Sequence, residues 1–527
     1  MISPRTTPPG QRAVARERRA PTRVVIVGAG HNGLVCAIRL AAAGVGVTIV
    51  DGADGPGGAV RSRASTLPGF VHDTCAGFFP LTVASPAFRD VPLARHGVEW
   101  VDPPVAMAHP FLDGVAIALR RDLAATAASL DAAAPGTGQA WRALVERLSP
   151  HRELLFAAAL SRFPPVGPAA RLALRLRGDA VGLLRRALGS AEGLGRNLFG
   201  DERAAAWLAG SAAHSDLAPD AAPGGALVLG LALLGQLVGW PYPRGGAQRI
   251  TDALAAHLRE LGGELRCGAA VERIDVRRGR VAGVCLANGD GLGADAVVAT
   301  VSAGVLARLV PDGALPLRLE RRLRGWRYGL GTFKLDLALD APVPWTADEA
   351  RAAAVVHVGG ELPTLTRAAR EARAGEVPGE PVLVVGQHSL HDPSRAPEGQ
   401  HTLYVYTHLP QRPPLGDEAI AERIEERIER FAPGFRSRIL ARAVRGPAAI
   451  EAENPSLVGG DLGGGSYELD QQLAFRPAPR LVRGRTPLRG LYVAGASVHP
   501  GGGVHGASGD AAARALLEDA SPLRRWR

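Results

Sequence analysis

A chain of 527 residues, 46% apolar and 21% charged, is that of a folded globular protein too long for one ordinary core, which predicts two domains. Its net charge of +10 comes from arginine spread along the whole length, with 5% aromatics and no basic block interleaved with stacking rings, so no nucleic-acid partner is expected. Cys36, Cys75, Cys267 and Cys285 form no C-x-x-C and no metal-ligand spacing, which excludes a dithiol redox centre and predicts no metal.

Residues 1–22 hold Pro4, Pro8, Pro9 and Pro21 among arginines and almost nothing apolar, which predicts a disordered basic tail. Arg18-Arg19 is followed by no apolar signal region, so the expected location is cytoplasmic, with peripheral contact to the anionic inner membrane face left open by the positive charge. Val24 to Val27 is a β-branched apolar run suited to a buried parallel strand, and it runs into Gly28, Gly30 and Gly33, with His31 and Asn32 between the last two. In such a G-x-G-x-x-G the first glycine allows a tight turn, the second admits a pyrophosphate, and the third lets helix and strand pack closely. Leu34, Ala37, Ile38 and Leu40 then follow helical spacing, and Gly44 stands where a helix stops. A second strand, Val45 to Val50, ends at Asp51, the acid expected to hold ribose hydroxyls. Strand, helix, strand and acid in register predict a bound dinucleotide.

Residues 105–240 turn alanine- and leucine-rich with arginine-studded helical spacing, as a helical substrate or cap domain would. Ala222 to Trp240 carries no charge; its length nearly reaches a membrane span, but Pro223, its glycines and Gln236 favour a buried helix lining an apolar cavity. Ile250, Leu254, Leu258 and Leu261 mark an amphipathic helix closed by Gly262-Gly263. Val271 to Val276, Val281 to Leu286 and Ala294 to Ala299, punctuated by Gly279 and Asn288-Gly289, predict a meander and a return strand. Near residue 333, Phe333, Leu335 and Leu337 alternate with Lys334 and Asp336, a strand with one polar face. Lys334 is the only lysine among 61 basic residues, so its site needs a compact ammonium whose pKa can move. Leu491 to Ala494 reads as a strand delivering Gly495, and Gly501 to Gly503 opens onto a helix from about His505 to Leu517. His499 and His505 are candidates for proton transfer there.

Asp51 followed by Gly57, Gly58, Ala59 and Arg61 resembles the FAD signature of the amine oxidase and phytoene desaturase superfamily. With WPYPRGGAQRITDAL, NPSLVGGDLGGG and GASVHPGGGVHGASG, the chain from Arg23 to Asp519 is similar to bacterial phytoene desaturase-like flavoproteins, most nearly those grouped with the pyridine nucleotide-disulfide oxidoreductase domain-containing protein 2 type. The disulfide in that group's name has no counterpart in these cysteines.

The resemblance implies an α/β fold: a glutathione-reductase-like, Rossmann-type FAD domain (23–104, 241–325, 480–520) with an interleaved α+β substrate domain (105–240, 326–479). It implies FAD contacts at Gly28, Gly30, His31, Asn32, Gly33, Asp51, Gly58, Ala59, Arg61, Val271, Gly495, Ala496, Val504 and Ala507, with Val271 holding the adenine by its backbone. It brings Asp73 and Gly77 near the cofactor and lets Lys334 reach the flavin N5 through a water, while the helix after Gly503 points its N-terminus at the flavin ring. The reaction implied is hydride transfer from a C–H of a hydrophobic, carotenoid or isoprenoid, small-molecule substrate to flavin. No second dinucleotide motif appears, so oxygen or a quinone is the expected electron acceptor. An amine oxidase is the alternative, although no aromatic pair stands out; a redox-neutral isomerase and an FAD-containing membrane- or partner-binding protein are the others.

Overall fold

A computed structural model describes residues 23–520; the tail expected over 1–22 lies outside them. Arg23–Val27 is the middle strand of a five-stranded, wholly parallel sheet in the order Leu491–Val493, Ala296–Ala299, Arg23–Val27, Gly46–Val50, Glu264–Arg266. Val24, Val25 and Ile26 are fully buried, as a central parallel strand covered on both faces requires. The helix His31–Ala42 buries Leu34, Val35 and Ile38 against the sheet and stops at Gly44, whose φ of +79° is open to glycine without strain. Val271–Arg277, Arg280–Leu286 and Gly291–Gly293 form an antiparallel meander that returns to the parallel sheet through Ala296–Ala299.

The last helix, Ala507–Ala520, starts two residues later than the sequence suggests. It crosses the first helix so closely that a Cβ on Gly509 would lie 2.1 Å from the Asn32 carbonyl oxygen. The two ends of the described chain thereby meet over one sheet.

A second sheet of seven strands runs Ile439–Arg445, Gly331–Leu339, His401–Leu409, Leu383–Gly386, Ala353–Val358, Val105–Pro110, Ala116–Leu119. Its last two strands correct the expectation that residues from 105 onward are helical. Val105–Pro110 pairs parallel with Ala353–Val358 and antiparallel with Ala116–Leu119, and all of its side chains are buried, so packing outweighs alanine's helix preference. Helices occupy the stretch from Leu123 to Val238. The uncharged segment forms Gly224–Val238, 15 residues, about 22 Å at 1.5 Å per residue. Gln236 is satisfied inside the protein, accepting from Trp141 Nε1 (2.8 Å) and donating to the Arg120 carbonyl (2.9 Å). Among the described residues no helix is long and apolar enough to cross a membrane.

Candidate functional site

A cavity of about 600 Å³ opens at the ends of the parallel strands. Its glycines do different jobs. A Cβ on Gly33 would sit 2.0 Å from the Gly28 carbonyl oxygen, and one on Gly28, at φ +105°, would sit 2.4 Å from Thr300 Oγ1; both positions are closed by the protein itself. A Cβ on Gly30 would meet nothing nearer than the Gly57 carbonyl oxygen at 4.0 Å, so that position faces open space. Gly30 is also the N-cap of the first helix, with no side-chain cap and no acid in the first turn, so the free N–H groups and the helix dipole are left for an anion. Gly58, at φ +58°, approaches Gly30, and Arg61 stands at the rim paired with Asp54.

Asp51 Oδ2 accepts the Ala29 N–H (2.6 Å) and Oδ1 the Ala53 N–H (2.8 Å). A carboxylate has about four acceptor sites, so two remain for ribose hydroxyls on the cavity wall. Ala270, beside Gly52, and Val271 also line the cavity, as do Gly495, Ala496, Ser497, Gly503 and Val504. The Gly495 N–H donates to Ser508 Oγ (3.0 Å), which donates to Asn32 Oδ1 (2.9 Å), so Asn32 ties the first helix to the last. The cradle of glycines, the uncapped helix start and the ribose acid fit the FAD expected.

The structure brings His31, Ala59, Val504 and every other expected cofactor residue except Ala507 to this cavity. The Ala507 N–H donates to His505 Nδ1 (3.1 Å) and is not available to a cofactor. The proton-transfer role expected of His505 is likewise corrected: its Nε2 donates to the Gly501 carbonyl (3.1 Å), it is 1% exposed, and burial lowers it to about 3. It braces the glycine turn. His499 packs edge-on against Phe163 and lines neither cavity. Asp73 is also structural, its oxygens taken by Ser62, Arg395 and the Ala247 N–H.

A second cavity, about 240 Å³, shares Cys75, Ala76, Leu462, Gly503 and Val504 with the first. Leu227 and Leu231 of the uncharged helix, with Phe78, Trp240 and Leu330, give it an apolar wall. Facing them stand Tyr404, Tyr406 and His408, every second residue of the strand His401–Leu409, with Tyr467 nearby. Tyr406 Oη bonds His214 Nδ1 at 2.8 Å, and burial lowers His214 to about 3 and His408 to about 4, so both rings are neutral at pH 7. Asp216 and Asp461 reach the wall with oxygens partly engaged: Asp216 accepts from Ser466 Oγ and the Tyr467 N–H, and Asp461 from the N–H groups of Gly329, Gly463 and Gly465. These aromatic and polar residues escaped sequence reasoning, although the period-two pattern of Tyr404, Tyr406 and His408 carried a signal.

Lys334 lies on the strand paired with His401–Leu409, 1% exposed, opposite Tyr406 and so on the same sheet face as Tyr404 and Tyr406. Its ammonium sits 4.0 Å from the Tyr404 ring centroid and pairs with Asp336, which also accepts from Arg445 Nη2 (2.9 Å). Burial lowers Lys334 to about 8 against the opposing pull of Asp336. Burial would raise the Asp336 carboxyl, but Lys334 and Arg445 hold it below its ordinary range. Lys334 lines neither cavity, and its contact with a lining residue is with the Tyr404 ring.

The family model described as flavin containing amine oxidoreductase matches residues 33–517. Pyridine nucleotide-disulfide oxidoreductase domain-containing protein 2 of Rattus norvegicus is 28% identical over 548 residues, covering 94% of this chain and 93% of that protein. A hydroxyneurosporene desaturase of Cereibacter sphaeroides is 29% identical over 529 residues, covering 95% and 99%. The crystal structure of an oxidoreductase from Methanosarcina mazei superposes with a TM-score of 0.60 at 18% identity, covering 94% of this chain and all of that one, a likeness of fold.

Proposed function

The chain belongs to the flavin containing amine oxidoreductase family, and from that premise we propose that this FAD-dependent oxidoreductase dehydrogenates a hydrophobic, isoprenoid- or carotenoid-like molecule. The observation that carries the proposal is the apolar cavity meeting the nucleotide cavity along Cys75, Ala76, Leu462, Gly503 and Val504. FAD bound in the larger cavity supplies a hydride acceptor at its N5. The chain's own residues then bind and orient: the Gly30 helix start takes the pyrophosphate, Asp51 the ribose, and Val271 the adenine, while Leu227, Leu231 and Phe78 exclude water around the substrate carbon chain. In this reading the five-stranded sheet and its meander are a glutathione-reductase-like FAD domain, and the seven-stranded sheet with its helices is the substrate domain.

The desaturase relatives support an apolar substrate, and oxygen or a quinone is the proposed electron acceptor. Leu174 and Val181, 76% and 73% exposed, stand among Arg171, Arg175, Arg185 and Arg186. That surface suits peripheral contact with an anionic membrane, from which such a substrate would come. A second reading, amine oxidation, draws on Tyr404, Tyr406 and Tyr467 around the cavity. The test is the absorption spectrum of the purified protein, followed anaerobically as isoprenoid extract and then an amine panel are added. Bleaching by the isoprenoid supports the proposal, bleaching by an amine replaces it with the second reading, and bleaching by neither refutes both.

A further inference from the structure

On the outer side of the parallel-sheet layer, three side chains from two segments meet, and none of them lines either cavity. The helix Gln248–Glu260 buries Ile250, Leu254 and Leu258, which leaves His257 and Glu260, one turn apart, on its outer flank at the C-terminal end. The short turn Ala94–His96 lies against that flank, and the chain leaves it through Gly97 at φ +84°. The His96 side chain is only 8% exposed, and its Nε2 is buried without a hydrogen-bond partner, 3.4 Å from Glu260 Oε2. His257 Nδ1 stands 3.5 Å from the same oxygen. One ligand atom from each of the three residues lies within 4.8 Å of the other two.

We propose that His96 Nε2, His257 Nδ1 and the Glu260 carboxylate form a binding site for a divalent transition-metal ion of the zinc class. Zinc holds nitrogen and oxygen ligands at about 2.0–2.1 Å in a tetrahedron, which sets neighbouring ligand atoms roughly 3.3–3.4 Å apart. The separations of 3.4 and 3.5 Å match that edge and exceed the length of a good hydrogen bond. Two imidazoles and a carboxylate are a common zinc donor set, and Glu260, 42% exposed, leaves the fourth position to water. The negative end of the helix dipole lies at the same place.

Arg95 is the competitor. Its Nη2 donates to Glu260 Oε2 at 2.8 Å, and its side chain is 65% exposed, so it leaves for water without disturbing the core. The ion would clamp the Ala94–His96 turn onto a helix whose other face packs into the core of the nucleotide-binding sheet.

The test is calorimetric titration of the tag-free, chelator-stripped holoprotein with Zn²⁺ alone. The expected result is binding of a single ion. His96→Ala and His257→Ala should each weaken it by at least about tenfold, the loss that even outer-shell changes produce. Arg95→Ala should strengthen it, and Zn²⁺ should raise Tm in the wild type but not in His96→Ala. An unchanged flavin spectrum in each variant shows that the fold is intact. A wild type that binds no Zn²⁺, or binding that both histidine variants leave unaltered, overturns the proposal.

Discussion

The division of labour among the glycines can be tested by paired substitutions, Gly30→Ala and Gly33→Ala. At Gly30 an added methyl meets nothing nearer than 4.0 Å, and the backbone φ of −71° is ordinary for alanine. Without cofactor the cost is only the weaker N-cap preference of alanine, about 1 kcal/mol or less. With FAD bound, the methyl occupies the space through which the pyrophosphate approaches the helix, and overpacking of that kind costs about 1–3 kcal/mol. That corresponds to roughly 5- to 150-fold weaker FAD binding. At Gly33 the methyl would lie 2.0 Å from the Gly28 carbonyl oxygen and 3.2 Å from its carbon, both backbone atoms that cannot swing aside. Gly33→Ala should therefore lower the Tm of the cofactor-free protein, by at least the upper end of the same range. The assay pairs flavin content of the purified variants with thermal unfolding of their apoproteins. Full flavin occupancy in Gly30→Ala, or an apoprotein of Gly33→Ala as stable as the wild type, would refute the assignment.

Asp51→Ala removes the acceptor of the Ala29 and Ala53 N–H groups together with the proposed ribose partner. FAD affinity should drop by about tenfold or more, as expected for losing a charged hydrogen-bonding group, and a mutant purified with full FAD would count against the placement. Lys334→Met leaves Asp336 with Arg445 as its remaining cation. Its cost should fall near the lower end of the 3–5 kcal/mol typical of a broken buried pair, with FAD retained and flavin reduction slowed; unchanged Tm and kinetics would make the lysine dispensable. Burial holds His31, His72, His109, His388 and His408 near 4, below the roughly 6.5 of an unfolded chain. Above pH 6.5 both states are neutral at these rings; below it the unfolded chain binds more protons. Stability should therefore fall from pH 6.5 toward 4, by up to about 1.4 kcal/mol per histidine and pH unit. A Tm that stays flat between pH 7 and 5 would show that these rings are not held neutral.

The nucleotide end was legible because its signals are contiguous. A strand, three glycines, a helix stop and an acid sit between Arg23 and Asp51, each with a local backbone reason, and the cavity they line follows from short-range geometry. The second cavity was not legible, because Phe78, His214, Leu227 and Tyr404 come from four distant segments that only tertiary packing brings together. Val105–Pro110 misled for a related reason: alanine content argues for helix, and only the neighbouring strands make an extended chain the better burial. His505 drew a proton-transfer reading from its place at the start of the helix expected to face the flavin, whereas its ring is engaged with backbone. Asp336 was there to be found, since period-two spacing puts it on the same strand face as Lys334.

The electrostatics of the second cavity weigh between the two proposed substrates. An ammonium group entering it would need a carboxylate or an aromatic face to replace its water. Asp216 accepts two hydrogen bonds and Asp461 three, so of about four acceptor sites on each carboxylate both are partly engaged by Ser466 and backbone N–H groups. Tyr404 already holds the Lys334 ammonium against its ring, at 4.0 Å, so that site carries a cation before any substrate arrives. His214 and His408 are neutral and lend no negative charge. A protonated amine would thus find only the partly engaged Asp216 and Asp461 to replace its water, since the Tyr404 face is already taken by Lys334. An uncharged carbon chain against Leu227, Leu231 and Phe78 loses nothing on leaving water and gains about 25 cal/mol for each Å² of apolar surface buried. The same wall that could be read as an aromatic cage therefore favours an apolar hydride donor.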